Sequence, residues 1–314
     1  MPKFFNKKEY QIIADQFRLG KILGLKYFKQ GFAAPKAAIR TKHGTYVISK
    51  QLLGRGDNFT NKTPRSLQAE IDLLNGLKKL PVPQYVADKR GRHIFLYKGF
   101  GVTIYKYLPG LSVKFINQKR AYNLGCFLGN FHAQGLRLKN KFNGRNKLYE
   151  FARLRLEEMR AVIYRQKNNR LSKVAGEIEK GLINSSPPKG LPEGPIHVDF
   201  KPDNFLFKGN RLVGVLDFGN FYIGPLMIDL GKAIIFNCTK NKKLDRKLVD
   251  SFLRGYEKFR QLTKQERAYF KKAVHYGIYS HVWLDLYHVP LKLVPAYHPL
   301  NYIKIYLPAV KDRI

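Results

Sequence analysis

The chain has 314 residues, with 58 Lys plus Arg against 22 Asp plus Glu, a formal charge of +36 at pH 7, and 44% hydrophobic residues. An ordinary apolar fraction at this length excludes a chain disordered throughout and a mini-protein, and fits one large domain or two coupled lobes. Cys126 and Cys238 are the only cysteines, which excludes a disulfide scaffold and a CxxC metal pair and fits a reducing, cytoplasmic setting.

Met1 to Phe17 mixes Lys3, Lys7 and Lys8 with Glu9 and Asp15 and shows no secretory signal. Lys36 to Thr41 and Thr45 to Ser49 read as two strands around a His43-Gly44 turn. Thr63-Pro64 then opens a helix as cap and first helical proline. Its apolar positions are Leu67, Ile71, Leu74 and Leu77, and Pro81-Val82-Pro83 is its stop. His93 to Tyr97 and Val102 to Tyr107 read as an antiparallel pair, and Leu108-Pro109-Gly110 marks a boundary between lobes 1–107 and 108–314. Beyond it, Leu124, Phe127, Leu128 and Phe131 trace one amphipathic helix, and Leu148, Ala152, Leu156, Met159 and Ile163 a second. The most apolar stretch, Leu212 to Phe236, is broken by Asp217, Asn220, Asp229 and Lys232 and would span a membrane poorly. Tyr276, Tyr279, Trp283, Asp285 and Tyr287 lie in a helical, aromatic C-terminal segment that reads as core or as pocket lining.

The chemistry concentrates between Pro195 and Gly219. His197-Val198-Asp199-Phe200-Lys201-Pro202-Asp203-Asn204 is followed by Phe205 to Leu216, read as a hairpin about Lys208-Gly209-Asn210, and by Asp217-Phe218-Gly219. A hairpin returns the chain to its start, so Asn204 and Asp217 are expected at one open end, next to Asp199. Asn and Asp oxygens suit a hard cation such as Mg²⁺, and a carboxylate five residues before the Asn suits proton removal from a hydroxyl. Phosphoryl transfer asks for little beyond these parts.

In these motifs the sequence resembles the protein-kinase-like superfamily, in its small-molecule branch of aminoglycoside phosphotransferases and homoserine kinases. The resemblance runs over nearly the whole chain and includes Gly44-Thr45-Tyr46-Val47-Ile48, Glu70, Tyr107-Leu108-Pro109-Gly110, His132 and Gly224-Pro225-Leu226-Met227-Ile228-Asp229-Leu230. It implies a two-lobed α+β fold, strand-rich to about Tyr107 and mainly helical beyond. The implied activity is ATP- and Mg²⁺-dependent phosphorylation of a hydroxyl on a small metabolite. Asp199 is then the catalytic base, Asn204 and Asp217 hold Mg²⁺, and Tyr105, Tyr107 and Leu108 border adenine. By the same resemblance Asp229 braces the catalytic loop, and His197 and His132 are structural.

Two departures stand out. Ser49 occupies the place where the superfamily carries a phosphate-binding lysine on the third strand; Lys50 follows, but alternation turns it to the other face. Lys50 and Glu70 remain the candidate residues on the nucleotide side, and Lys201 is expected to supply positive charge at the γ-phosphate. No Gly-x-Gly-x-x-Gly is present, which leaves Gln30 to Pro35 as the candidate phosphate loop. The high positive charge disfavours a polycationic aminoglycoside and favours a sugar or a hydroxy amino acid such as homoserine. For homoserine, however, the family's carboxylate-holding arginine is replaced within Tyr279-Ser280-His281-Val282-Trp283. Two other functions stay open: a pseudokinase or nucleotide-binding regulator, motivated by Ser49, and a basic nucleic-acid-associated kinase-like protein. The basic residues are spread along the chain, whereas a nucleic-acid footprint would cluster.

Overall fold

The computed structural model describes residues 4–28, 34–54, 62–138, 148–165 and 169–311. The chain forms two compact units, Met1–Leu111 with Val213–Gly219, and Ser112–Leu212 with Asn220–Ile314. Among the described residues no helix is long and apolar enough to cross a membrane.

The first unit opens with α1 (Lys7–Gln16), closed at its start by a reciprocal capping box between Asn6 and Glu9. β1 (Gly24–Phe28), β2 (Lys36–Thr41) and β3 (Gly44–Leu52) follow, then α2 (Pro64–Gly76), β4 (Phe95–Tyr97) and β5 (Phe100–Lys106). The strands make one antiparallel sheet in the order β1-β2-β3-β5-β4. Strand alternation sends Ala37, Ile39, Tyr46, Ile48, Val102 and Ile104 into a core shared with Phe5, Tyr10, Ile13 and Phe17. The opposite face carries Lys36, Ser49 and Thr103 in one cross-strand row and Ala38, Val47 and Tyr105 in the next. α2 begins as the sequence predicts, with Thr63 accepting from the Ser66 amide, but it ends at Gly76, short of Pro81.

The second unit contains α3 (Gln118–Leu138), α4 (Arg153–Tyr164) and α5 (Asn169–Asn184), then β6 (Glu193–Ile196), β7 (Phe205–Lys208), β8 (Arg211–Val215, running into the first unit) and β9 (Tyr222–Pro225). The helix expected from Leu148 starts only at Arg153. α6 (Leu226–Asn237), the short pair β10 (Thr239–Lys240) and β11 (Lys243–Leu244), α7 (Arg246–Glu257), α8 (Lys264–His288) and α9 (Tyr297–Lys311) complete it. β6 pairs antiparallel with β9, Ile196 opposite Tyr222 and Glu193 opposite Pro225, so the chain leaves β6 beside the start of β9 and α6 begins beside the start of β6.

α3 and α7 approach closely because Gly125 and Gly129 face the backbone at Phe252 and Tyr256. A Cβ at Gly125 would overlap the Phe252 carbonyl, which cannot move aside as a flexible side chain would. Alanine would add about 1 kcal/mol of helix propensity, but forcing two backbones apart costs about 1–3 kcal/mol, and often more when no side chain can yield. Gly125→Ala should therefore lower the urea midpoint of unfolding; a midpoint at or above that of the natural protein would contradict this packing.

Candidate active site

The His197–Asn204 motif lies on the loop after β6. Val198 adopts φ 63°, a left-handed conformation that a β-branched residue enters only under constraint. The constraint is the Asp229 carboxylate in the first turn of α6, whose oxygens accept from the amides of His197 at 2.7 Å and Val198 at 2.9 Å. His132 Nε2 lies 3.2 Å from Asp229 Oδ2, and its Nδ1 lies 2.8 Å from the Tyr256 hydroxyl. Arg260 in turn bonds both Tyr256 and Glu266, at 3.0 and 2.7 Å. Burial drives the His132 pKa down, with Asp229 opposing, so a neutral ring donates from Nε2 and accepts from Tyr256. Burial alone would raise the Asp229 pKa, but His132 and His197 bring it below its ordinary value. Asp229 thus braces this turn, and His132 is a structural hydrogen-bonding residue behind it.

After the turn, Phe200 stacks with Phe127 and packs on Phe205, its carbonyl accepting from Asn237. A short 3-10 turn, Pro202–Asn204, brings Asn204 back onto Asp199. Asn204 Nδ2 donates to the Asp199 carbonyl at 2.8 Å and to its carboxylate at 3.1 Å, which turns Oδ1 away from these bonds. Lys201 Nζ stands 2.9 Å from Asp199 Oδ1. Burial raises the Asp199 pKa, yet the Lys201 ammonium beside it outweighs that and holds the group below its ordinary value. Asp199 is therefore ionised at neutral pH, as a general base must be.

Behind this group lies a cation that the sequence reading left as a mere interruption of an apolar run. Lys232 of α6 is fully buried, its ammonium 3.5 Å from the Tyr149 ring centroid and 3.2 Å from His281 Nδ1. Burial pulls its pKa down to about 7, with Asp199 as the strongest opposing influence. Of the residues singled out in the C-terminal segment, Tyr276 and Trp283 are buried core, whereas Asp285 accepts from His298 Nδ1 at 2.7 Å.

In the first unit Glu70 and its partners gather on and around α2. Glu70 is buried, with Oε2 2.5 Å from Lys62 Nζ and Oε1 accepting from the Tyr85 hydroxyl at 3.1 Å. The Lys62 ammonium also borders Gly219, where a Cβ would lie 2.9 Å from it and 3.5 Å from Asp217 Oδ1. Asp217 itself has φ 64°. Ser49 accepts from Gln51 Nε2 at 2.9 Å. Lys50 lies on the other face of β3, its ammonium over the rings of Phe5 and Phe100 at 4.3 and 4.0 Å. The partner of Glu70 is Lys62, while the strand's alternation carries Lys50, as expected, to the other face and into the core. Tyr105 is buried with its ring against Tyr85. The Tyr107 amide bonds to Thr45, whereas the Leu108 amide has no backbone partner among the described residues. Most of Gln30 to Pro35 lies outside the described residues.

The family model for the phosphotransferase enzyme family matches residues 24–269. Homoserine kinase of Polaromonas naphthalenivorans is 25% identical over 281 residues, covering 87% of this chain and 85% of that protein. Homoserine kinase of Neisseria meningitidis serogroup B is 26% identical over 264 residues, covering 83% and 82%. Among solved structures, an amicoumacin kinase in complex with AMP-PNP, Ca²⁺ and Ami superposes with a TM-score of 0.68 at 15% identity over 98% of this chain and 96% of that one. A microcompartment-associated aminopropanol kinase superposes with 0.66 at 15% identity over 96% and 95%. These likenesses establish the two-lobed kinase-like fold.

Asp229→Asn keeps the size of the side chain but sets an amide N–H against a backbone N–H, leaving a buried donor without an acceptor. The expected loss is about 1–3 kcal/mol of unfolding free energy. The folded-state Asp229 pKa lies below its ordinary value, so its contribution is present above the carboxylate range and is lost as pH falls through the lowered value. The acid limb of the stability curve should therefore be shallower in Asp229→Asn, and superimposable curves would contradict the assigned role.

Proposed function

Since the chain belongs to the phosphotransferase enzyme family, we propose that it moves the γ-phosphoryl group of ATP to a hydroxyl of a small neutral, zwitterionic or anionic metabolite, a sugar or a hydroxy amino acid such as homoserine. The observation that carries this reading is the Asp199 carboxyl, held by Asn204 and Lys201 at the end of a turn clamped by Asp229. Residues 1–107 act as the nucleotide-binding lobe and residues 108–314 as the catalytic and acceptor-binding lobe.

The acceptor's O–H proton passes to Asp199, its oxygen bonds to the γ-phosphorus, and the bond from that phosphorus to the bridging oxygen breaks to release ADP. A divalent metal, Mg²⁺ in this reading, neutralises phosphate charge when bound. Asn204 and Asp217, the residues that the family resemblance implies, would hold it, since hard oxygens suit such a cation. Asn204 fits the role because its amide N–H groups are engaged with Asp199 and its Oδ1 is not. Lys201 supplies charge at the γ-phosphate, and Leu108 offers backbone to adenine between Tyr105 and Tyr107.

The homoserine kinases among the relatives support a hydroxy-amino-acid acceptor. A net charge of +36 supports any acceptor that is not a polycation. The regulator alternative began from Ser49, and the lysines around Glu70 weaken it.

Asp199→Asn should leave ATP binding nearly intact and lower turnover about 10²- to 10⁴-fold, the worth of general-base help. Asp217→Asn should instead weaken Mg²⁺-dependent nucleotide binding. Steady-state turnover and equilibrium nucleotide titration read the two separately, and near-normal turnover in Asp199→Asn would contradict the assignment.

A further inference from the structure

The Ser49 face of the first unit's sheet carries a lysine on a different strand. Lys36 opens β2, and its Cα is paired directly with that of Ser49 on β3, which is paired in turn with Thr103 on β5. Residues directly opposed across an antiparallel pair project to the same face. Adjacent strands lie only about 4.8 Å apart, less than the reach of an extended lysine, so an ammonium from β2 covers the ground one at position 49 would cover.

The surroundings of Lys36 are those of a cation waiting for an anion. It is half-buried, and among the described residues no carboxylate lies within ion-pair distance of it. Glu70 is engaged through both oxygens, by Lys62 and by Tyr85. Burial alone would lower the Lys36 pKa, but Tyr105, Asp217 and Glu70 raise it above the ordinary lysine value, so the group stays charged. Lys36 and Lys62 balance Glu70 and Asp217. Once a divalent cation and a nucleotide triphosphate join this set, the excess charge is negative and the donors of Lys36 have oxygens to meet.

We propose that Lys36 is the nucleotide phosphate-binding lysine of this chain, acting from β2 in place of the residue missing at Ser49, with the Lys62–Glu70 ion pair set beside it. The inference rests on the phosphotransferase reading and adds the residue that grips the nucleotide.

Equilibrium titration of ATP and of adenosine, with Mg²⁺ present, into the natural protein, Lys36→Met and the double variant Lys36→Met/Ser49→Lys tests it. Lys36→Met should bind ATP about 10- to 100-fold more weakly, the worth of a lost charge-assisted hydrogen bond, with adenosine affinity unchanged. The lysine introduced at position 49 should recover most of the loss. ATP affinity unchanged in Lys36→Met, ATP and adenosine affinity falling together, or a double variant no better than the single would each overturn the assignment. A natural protein that binds ATP no more tightly than adenosine would overturn the phosphotransferase reading along with it.

Discussion

The second unit depends on one carboxylate, Asp229, which holds two consecutive backbone amides at the end of β6. The geometry it fixes is unfavourable in itself: a β-branched residue at positive φ, as Val198 is, costs about 1–3 kcal/mol. Two hydrogen bonds to a charged acceptor return about 1.5–3 kcal/mol each, so the clamp outweighs the strain. Without it the turn would relax, and Asp199, Lys201 and Asn204 would lose the geometry that the turn imposes. The clamp is itself held from behind by His132, Tyr256, Arg260 and Glu266, which tie α3, α7 and α8 to the loop. The close approach of α3 to α7 through Gly125 and Gly129 keeps His132 and Tyr256 within hydrogen-bonding distance.

Much of this half was legible in the sequence because the parts are close along the chain. Asp199, Lys201 and Asn204 sit within one loop, so their residue types and spacing announce their chemistry. The roles of His132 and Asp229 came from the family resemblance, since their partners are distant in sequence and only helix packing brings them together. Tyr10, Ile13, Ala14 and Phe17 recur at helical spacing and mark α1, but the polar opening Lys7-Lys8-Glu9 and the interposed Gln11, Asp15 and Gln16 mask the pattern. Lys232 could not be distinguished from a surface lysine, because its burial depends on how α6 packs against α8.

The first unit shows why strand register is hard to read and what it decides. The alternation that excludes Lys50 from the Ser49 face was visible in the sequence, and the rings of Phe5 and Phe100 fill in where that side chain goes. The pairing of Lys36 with Ser49 needed the β2–β3 register. The Lys62–Glu70 pair needed the chain entering α2 to be placed. Lys36 stands directly across from Ser49, and Lys62 pairs with Glu70. Each unit therefore carries its own lysine and carboxylate set, Lys62 with Glu70 in one and Lys201 with Asp199 in the other.

Incubating the protein with ATP, Mg²⁺ and a pool of sugars, hydroxy amino acids including homoserine, and kanamycin, then following the pool by mass spectrometry, asks most directly whether a hydroxyl is phosphorylated and which one. The expected result is a single new phosphate ester of a neutral, zwitterionic or anionic compound, formed with an equal amount of ADP. A pool left unchanged with ATP intact would contradict phosphotransfer to a small-molecule hydroxyl, and kanamycin phosphate as the product would contradict the charge-based choice of acceptor.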